Sequence, residues 1–268
     1  MHTGKDGAGY ARRMRLVCID VDGTVSDRFE RPTVEPAPRA LAEIRRGHTL
    51  RLVTNATSIA HAKLAAKLRE QGLLEDPAEL VTPAATARRV LEGRGHASGL
   101  LIADEAARED FAWFEEVFDG PAVLLASEAH ELRLADLQPA FRRLLDGAEL
   151  YTAQQNRYFR KGGELVTDLG PVAAFLAYAS GRTQQNLGKP SRLLFEALAR
   201  EARCDLGEVV MVGDDAEFDA SGAVALGMRG VLVRTGKYRA GDEDAVSPPP
   251  TAVLDSVADL PAWLDAQR

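Results

Sequence analysis

The sequence predicts an α/β protein in which a doubly wound parallel-sheet core carries a second, inserted α/β unit. Three observations support this. Short apolar runs alternate with helical patterns almost from end to end, as parallel strands joined by crossover helices do. The alternation restarts over about 84–182, with strands and helices of its own. On either side of that stretch, several apolar runs end in Asp, Thr, Asn or Gly, and an open α/β sheet binds ligands beyond such strand ends.

The elements follow in order. "RLVCI" (15–19) and "TLRLV" (49–53) read as strands. "PRALAEIRRG" (38–47) and "SIAHAKLAAKLREQG" (58–72) have helical apolar spacing and stop on Gly47 and Gly72, the second beginning near Thr57 or Ser58. "GLLIA" (99–103) and "PAVLLAS" (121–127) start the inserted unit, and "ADLQPAFRRLLDGA" (135–148) is helical. Residues 151–170 read as two extended segments around Gly162-Gly163. "PVAAFLAYASG" (171–181) is a helix with Pro171 in its first turn and Gly181 past its end. The core resumes with "SRLLFEALAREA" (191–202), N-capped by Ser191, and the strands "GEVVMVG" (207–213) and "GVLV" (230–233). The expected organisation is a polar, disordered leader over 1–13, a core from 14–83 and 183–268, and an inserted domain over 84–182. "SPPP" (247–250) reads as a surface loop.

Composition narrows the function. Of 268 residues 46% are hydrophobic and 27% charged, enough for a large core. The formal charge of -7 and scattered basic pairs such as Arg45-Arg46 offer no track for a phosphate backbone, so nucleic acid is not an expected partner. No apolar run reaches a membrane span, and Cys18 and Cys204 are too few for a disulfide framework. A cytoplasmic protein without a membrane partner is expected. His2, His48, His61, His96 and His130 show no paired ligand spacing, against zinc.

Four strand ends or helix starts converge. The first strand delivers Asp20, Asp22, Gly23 and Thr24, and the second Thr54 and Asn55. "NLGKPS" delivers Lys189, and "EVVMV" delivers Gly213, Asp214, Asp215 and then Asp219. Such carboxylates repel one another and are costly to bury unpaired, and one lysine cannot balance them. An all-oxygen set favours a hard divalent cation such as Mg²⁺, which typically keeps positions open for water and a phosphate. Charges of this kind suit phosphoryl transfer.

In this order, "DVDGT", "LVTNAT", "GKP" and "VMVGDDAEFD" resemble the four motifs of the haloacid dehalogenase superfamily, a Rossmann-like fold. The insertion lies where the branch containing pyridoxal phosphate phosphatase carries its large α/β cap. Within it, "RLLDGAELYTAQQNRYFRKGGELVTDLGP" and "VMVGDDAEFDASGAVALGMRGVLVRTGKYRAGDE" look most like the phospholysine phosphohistidine inorganic pyrophosphate phosphatase group. The resemblance implies a phosphatase for a small phosphorylated metabolite, with Asp20 as nucleophile and Asp22 as acid and base. It implies that Thr54, Asn55, Gly23 and Lys189 hold the phosphoryl group, Lys189 also steadying Asp20. Mg²⁺ is implied at the Asp20 carboxylate, the Asp22 carbonyl and Asp214, with Asp215 and Asp219 completing the site or its surroundings. Relatives in that group often have serine where this chain has Asp22, which makes phosphomonoesters the better expected substrates here.

Each residue alone has a plainer reading. "DVDGT" is also a strand running into a tight turn, Thr54 and Asn55 are also helix caps, and Asp219 also suits a helix's first turn. Lys189 and Lys237 read singly as solvated. In the cap, Asn156, Arg157, Tyr158, Asp168 and Gly170 are candidates for the substrate entrance, and equally for hairpin and helix-start roles. Apolar cap positions suit a core or a homodimer contact. Carbon–halogen hydrolysis on the same fold has no need of a cation, and a non-catalytic phosphometabolite-binding protein has no need of the full set.

Overall fold

The computed structural model describes residues 14–128, 132–161 and 164–267. The expected leader 1–13, His130 and the Gly162-Gly163 pair lie outside them.

The chain opens with β1 (Leu16–Asp20), a small hairpin of β2 (Ser26–Asp27) and β3 (Arg31–Pro32), α1 (Ala37–Arg45) and β4 (Thr49–Val53). α2 (His61–Glu70), β5 (Leu80–Val81) and α3 (Pro83–Arg94) follow. The inserted unit continues with β6 (Ser98–Ala103), β7 (Glu115–Glu116), β8 (Ala122–Ala126), α4 (Gln138–Leu145) and β9 (Glu149–Thr152). Its hairpin of β10 (Tyr158–Lys161) and β11 (Glu164–Thr167) leads to α5 (Leu169–Ser180) and β12 (Gln184–Asn186). The chain returns through α6 (Arg192–Glu201), β13 (Val209–Gly213), α7 (Gly222–Ala225), β14 (Arg229–Val233), β15 (Ala252–Leu254) and α8 (Leu260–Asp265).

Two parallel sheets result. The core sheet has the order β15-β14-β13-β1-β4-β5, and the inserted sheet β12-β9-β8-β6-β7. β1 is buried over its whole length because helices cover both faces of the core sheet. Val17 and Ile19 face the cluster with Leu41, Leu64 and Leu260, while Leu16 and Cys18 face Leu194, Phe195 and Leu198. Burial pushes the Cys18 thiol up to about 12, so it is an inert core residue. The inserted unit has its own core, with β8 against Phe111, Leu144 and Leu176.

Register aligns the functional edge. Asp20 pairs with Val53, and Ile19 with Val212, so Asp20, Thr54 and Asp214 arrive side by side at one end of a parallel sheet. Strands lie about 4.8 Å apart, which sets how closely these groups meet.

Several local readings shift. β5, β12 and β15 are two or three residues long, too short for an apolar period to register. α3 was not expected, although Thr82 as N-cap, Pro83 at the first position and Gly95 in the left-handed region mark both its ends. α2 starts at His61, so Thr57 and Ser58 do not cap it. Residues 206–208 form a 3₁₀ turn ahead of β13. Among the described residues no helix is long and apolar enough to cross a membrane.

Candidate active site

Asp20 ends β1 and is almost fully buried. The turn after it is made by Gly23 at φ +87°, where a Cβ would stand 2.2 Å from Asp214 Oδ2. That turn brings Thr24 back, and its Oγ1 donates to Asp20 Oδ2 at 3.2 Å. Lys189 Nζ donates to Asp20 Oδ1 and pairs with Asp219 Oδ1 at 2.8 Å. Burial disfavours the ammonium, but Asp20 and Asp219 outweigh it and raise its pKa, so it stays charged.

Asp219 reaches this point because residues 216–221 form a π-helical turn, which folds it back over β13. Gly213 makes room: a Cβ there would lie 2.1 Å from Asp219 Oδ2. The carboxylates of Asp20, Asp214 and Asp219 offer oxygens that all lie within 4.8 Å of one another. Desolvation first, then repulsion from Asp20 and Asp219, pushes Asp214 up to about 8. Desolvation, opposed by Lys189, pushes Asp219 up to about 7.

A second loop, not anticipated from the sequence, completes the cluster. Lys237 N donates to Asp214 Oδ2 at 2.7 Å, Thr235 Oγ1 donates to the Gly23 carbonyl at 2.7 Å, and Gly236 sits at φ +56° with Asp214 Oδ2 2.0 Å from where a Cβ would be. One Asp214 oxygen is therefore held, while its buried Oδ1 has no hydrogen-bond partner. An orphaned buried oxygen on one of three clustered carboxylates fits a hard cation: all donors are oxygen and the negative charge is under-compensated. The "TGK" after a strand on the active edge was the available signal for this loop.

Other expected residues take different positions. Asp22 is exposed at the rim, where its Oδ1 accepts Arg28 N at 2.8 Å. Desolvation by the surrounding protein raises its pKa against that hydrogen bond, with added repulsion from Asp20. Asp215 does not join the three clustered carboxylates. Its Oδ1 accepts Glu217 N and Phe218 N at 3.1 and 3.0 Å, and its Oδ2 pairs with Lys237 Nζ at 3.2 Å. Lys237, expected to be solvated, is thus partly engaged.

Thr54 is buried beyond β4, with Oγ1 accepting Ala56 N at 3.1 Å. Asn55 grips the Lys189 peptide from both sides: Oδ1 accepts Lys189 N at 2.8 Å and Nδ2 donates to Lys189 O at 3.1 Å. Its amide therefore positions the lysine, a role the expectation of phosphoryl binding did not include. Asn156 approaches Asn55 from the inserted unit at 3.5 Å, and Arg157 pairs with Glu217 across the same boundary at 2.8 Å. Asp168 and Gly170 turn inward instead. Asp168 Oδ1 accepts Leu169 N at 2.8 Å and Gln154 Nε2 at 2.5 Å, while Gly170 N donates to Asn156 O at 3.1 Å. Tyr158 is exposed on the hairpin.

Known proteins resemble this chain in sequence and in fold. A haloacid dehalogenase-like hydrolase model matches residues 17–114, and a HAD-hydrolase-like model matches 186–260. Haloacid dehalogenase-like hydrolase domain-containing protein 2 of Homo sapiens is 35% identical over 248 residues, 91% of this chain and 93% of that protein. Phospholysine phosphohistidine inorganic pyrophosphate phosphatase of Xenopus laevis is 31% identical, over 88% of this chain and 89% of that protein. Among solved structures, p-nitrophenyl phosphatase from Archaeoglobus fulgidus shares the fold with a TM-score of 0.83 at 22% identity, covering 94% of this chain and 99% of that one.

Proposed function

We propose that this chain, which belongs to the haloacid dehalogenase-like hydrolases, is a Mg²⁺-dependent phosphatase of a small phosphorylated metabolite. The observation that carries the reading is the buried set of Asp20, Lys189, Asp219 and Asp214 at one sheet edge. One lysine among three carboxylates makes a site short of positive charge, and a phosphoryl group with its cation supplies what is missing. A carbon–halogen substrate would not. The phosphatase names of the relatives and structural neighbours support the same class.

In this reading Asp20 attacks phosphorus, forming an aspartyl-phosphate O–P bond as the bond to the leaving oxygen breaks. Asp22, with its raised pKa, gives that oxygen a proton. Asp22 then takes a proton from water, whose oxygen attacks phosphorus and frees Asp20 and inorganic phosphate. Lys189 holds Asp20 and faces the transferring group, and Thr54 lies at the edge that receives it. Asp20, Asp214 and the Asp22 carbonyl would hold Mg²⁺, with Asp219 against Lys189. When bound, the cation supplies positive charge that lowers the repulsion between nucleophile and phosphoryl oxygens. The inserted unit acts as a cap that excludes water from the reacting centre.

Phosphate release from sugar phosphates, nucleoside monophosphates, pyridoxal phosphate, phosphoglycolate, p-nitrophenyl phosphate and pyrophosphate, with and without Mg²⁺, tests this. Metal-dependent release from at least one is the expected outcome. Silence across the panel in folded protein would overturn the reading in favour of a phosphometabolite-binding protein.

The acid cluster also predicts how stability depends on pH. The folded values of about 8 and about 7 for Asp214 and Asp219 lie above the ~3.9 of an unfolded aspartate. The folded state therefore holds these protons more tightly, and the stability they contribute is present at low pH and lost as pH rises through 7 to 8. In EDTA, Tm followed by circular dichroism should fall between pH 5 and 8.5. Excess Mg²⁺ should raise it more at pH 8 than at pH 5.

A further inference from the structure

We propose that Asp110, carried by the inserted unit, is a positioning residue for the core loop 54–60, which holds Thr54 and Asn55. Docking of the inserted unit supplies the N-terminal cap of α2 and so fixes that loop. The inference rests on the reading of the acid cluster as a phosphoryl site, and adds to it how the two units share the loop.

α2 is poorly equipped to begin where it does. Ala60 occupies its N-cap position with extended backbone and no side-chain cap bond, and its first turn holds no acid. Lys63 stands there, the wrong sign for the positive end of a helix dipole. The acceptor comes from elsewhere: Asp110 Oδ2 accepts His61 N at 2.7 Å, from 49 residues away in sequence. Asp110 lies in the turn Glu105–Phe111, and Phe111 belongs to the core of the inserted unit. The carboxylate therefore moves with that unit.

The loop between β4 and α2 is short and tied at its other end. Thr54 N donates to Val81 O at 3.1 Å, and Asn55 holds both faces of the Lys189 peptide. Fixing the His61 amide leaves the intervening five residues little freedom. Releasing it frees the segment on which Thr54, Asn55 and, through Asn55, Lys189 depend. The inserted unit touches the same edge again at Asn156–Asn55 and Arg157–Glu217. Of the three contacts, Asp110 is the one in which a side chain of the inserted unit binds core backbone.

The test compares full-length wild type with Asp110→Ala and Asp110→Asn, the second keeping an acceptor oxygen. Affinity for inorganic phosphate is measured by calorimetry, hydrogen–deuterium exchange over residues 54–64 by mass spectrometry, and Tm alongside. Loss of a helix cap predicts that Asp110→Ala weakens phosphate binding and speeds loop exchange by about three- to tenfold. Asp110→Asn should restore most of both. Wild-type phosphate affinity and loop exchange in Asp110→Ala, with or without a lowered Tm, would overturn the proposal, as would an Asn variant no better than Ala. Wild type that hydrolyses no phosphomonoester would defeat the phosphatase reading separately, while the exchange comparison would still decide on Asp110.

Discussion

Asp20→Asn should lower phosphate release by about 10³-fold or more while leaving the protein folded. The exchange removes the attacking oxygen's charge and replaces half of the carboxylate with a nitrogen that cannot form the aspartyl-phosphate. The fold should tolerate it, because Lys189 keeps Asp219 as an ion partner at 2.8 Å and one of three mutually repelling carboxylates has been neutralised. The measurement is single-turnover and steady-state phosphate release on the best substrate of the panel, with binding of a phosphate analogue and Tm as controls. An Asn variant with near-wild-type turnover would exclude Asp20 as the nucleophile. An inactive variant that no longer binds the analogue would mean that the substitution had damaged the site rather than the chemistry.

Lys189→Met is the substitution with the largest expected effect on stability. Lys189 is buried, and its ammonium is the cation paired to both Asp20 and Asp219. Removing one member of a buried, hydrogen-bonded ion group typically costs about 3–5 kcal/mol, because the remaining charges are left uncompensated. For a chain of this size that corresponds to a fall in Tm of roughly 10 °C. The sign of the pH dependence follows from the acids left behind. Without the lysine, Asp219 loses the charge that opposes its desolvation and its already raised pKa rises further, so the variant should regain stability as pH falls from 8 to 5. Over this range Lys189 remains charged, its folded pKa being raised above an unfolded value that already lies higher. Thermal melts of both proteins across pH in EDTA check this, and a deficit that does not shrink on acidification would show that lost packing, not stranded charge, is responsible. Activity should fall with stability, since Asp20 loses the group that orients it.

Much of this architecture is written locally. The strands ending at Asp20 and Gly213 are continuous apolar runs bounded by turn residues, and strands covered on both faces need nothing more to be recognised. Gly23 had to be glycine for a positive φ that the "DVDGT" turn already advertised. Placement of Asp20, Thr54 and Asp214 at one edge follows from strand ends in a parallel sheet, a rule that needs only the order of the elements.

What the local pattern could not state was the direction in which each side chain turns, or which distant segment meets it. Asp214 and Asp215 are neighbours of the same type, yet one enters the acid cluster and the other caps its own turn and pairs with Lys237. The π-helical turn over 216–221 makes that division and brings Asp219 back to Lys189. Asn55 holds the Lys189 peptide because β4 and the returning chain lie side by side, 134 residues apart in sequence. α2 begins three residues after Ser58 and takes its cap from Asp110. Periodicity and turn chemistry reach only a few residues along the chain, so they set the strands, the helices and the kinds of groups at their ends. Pairing among those groups depends on contacts between segments far apart in sequence, and only the packed structure decides it.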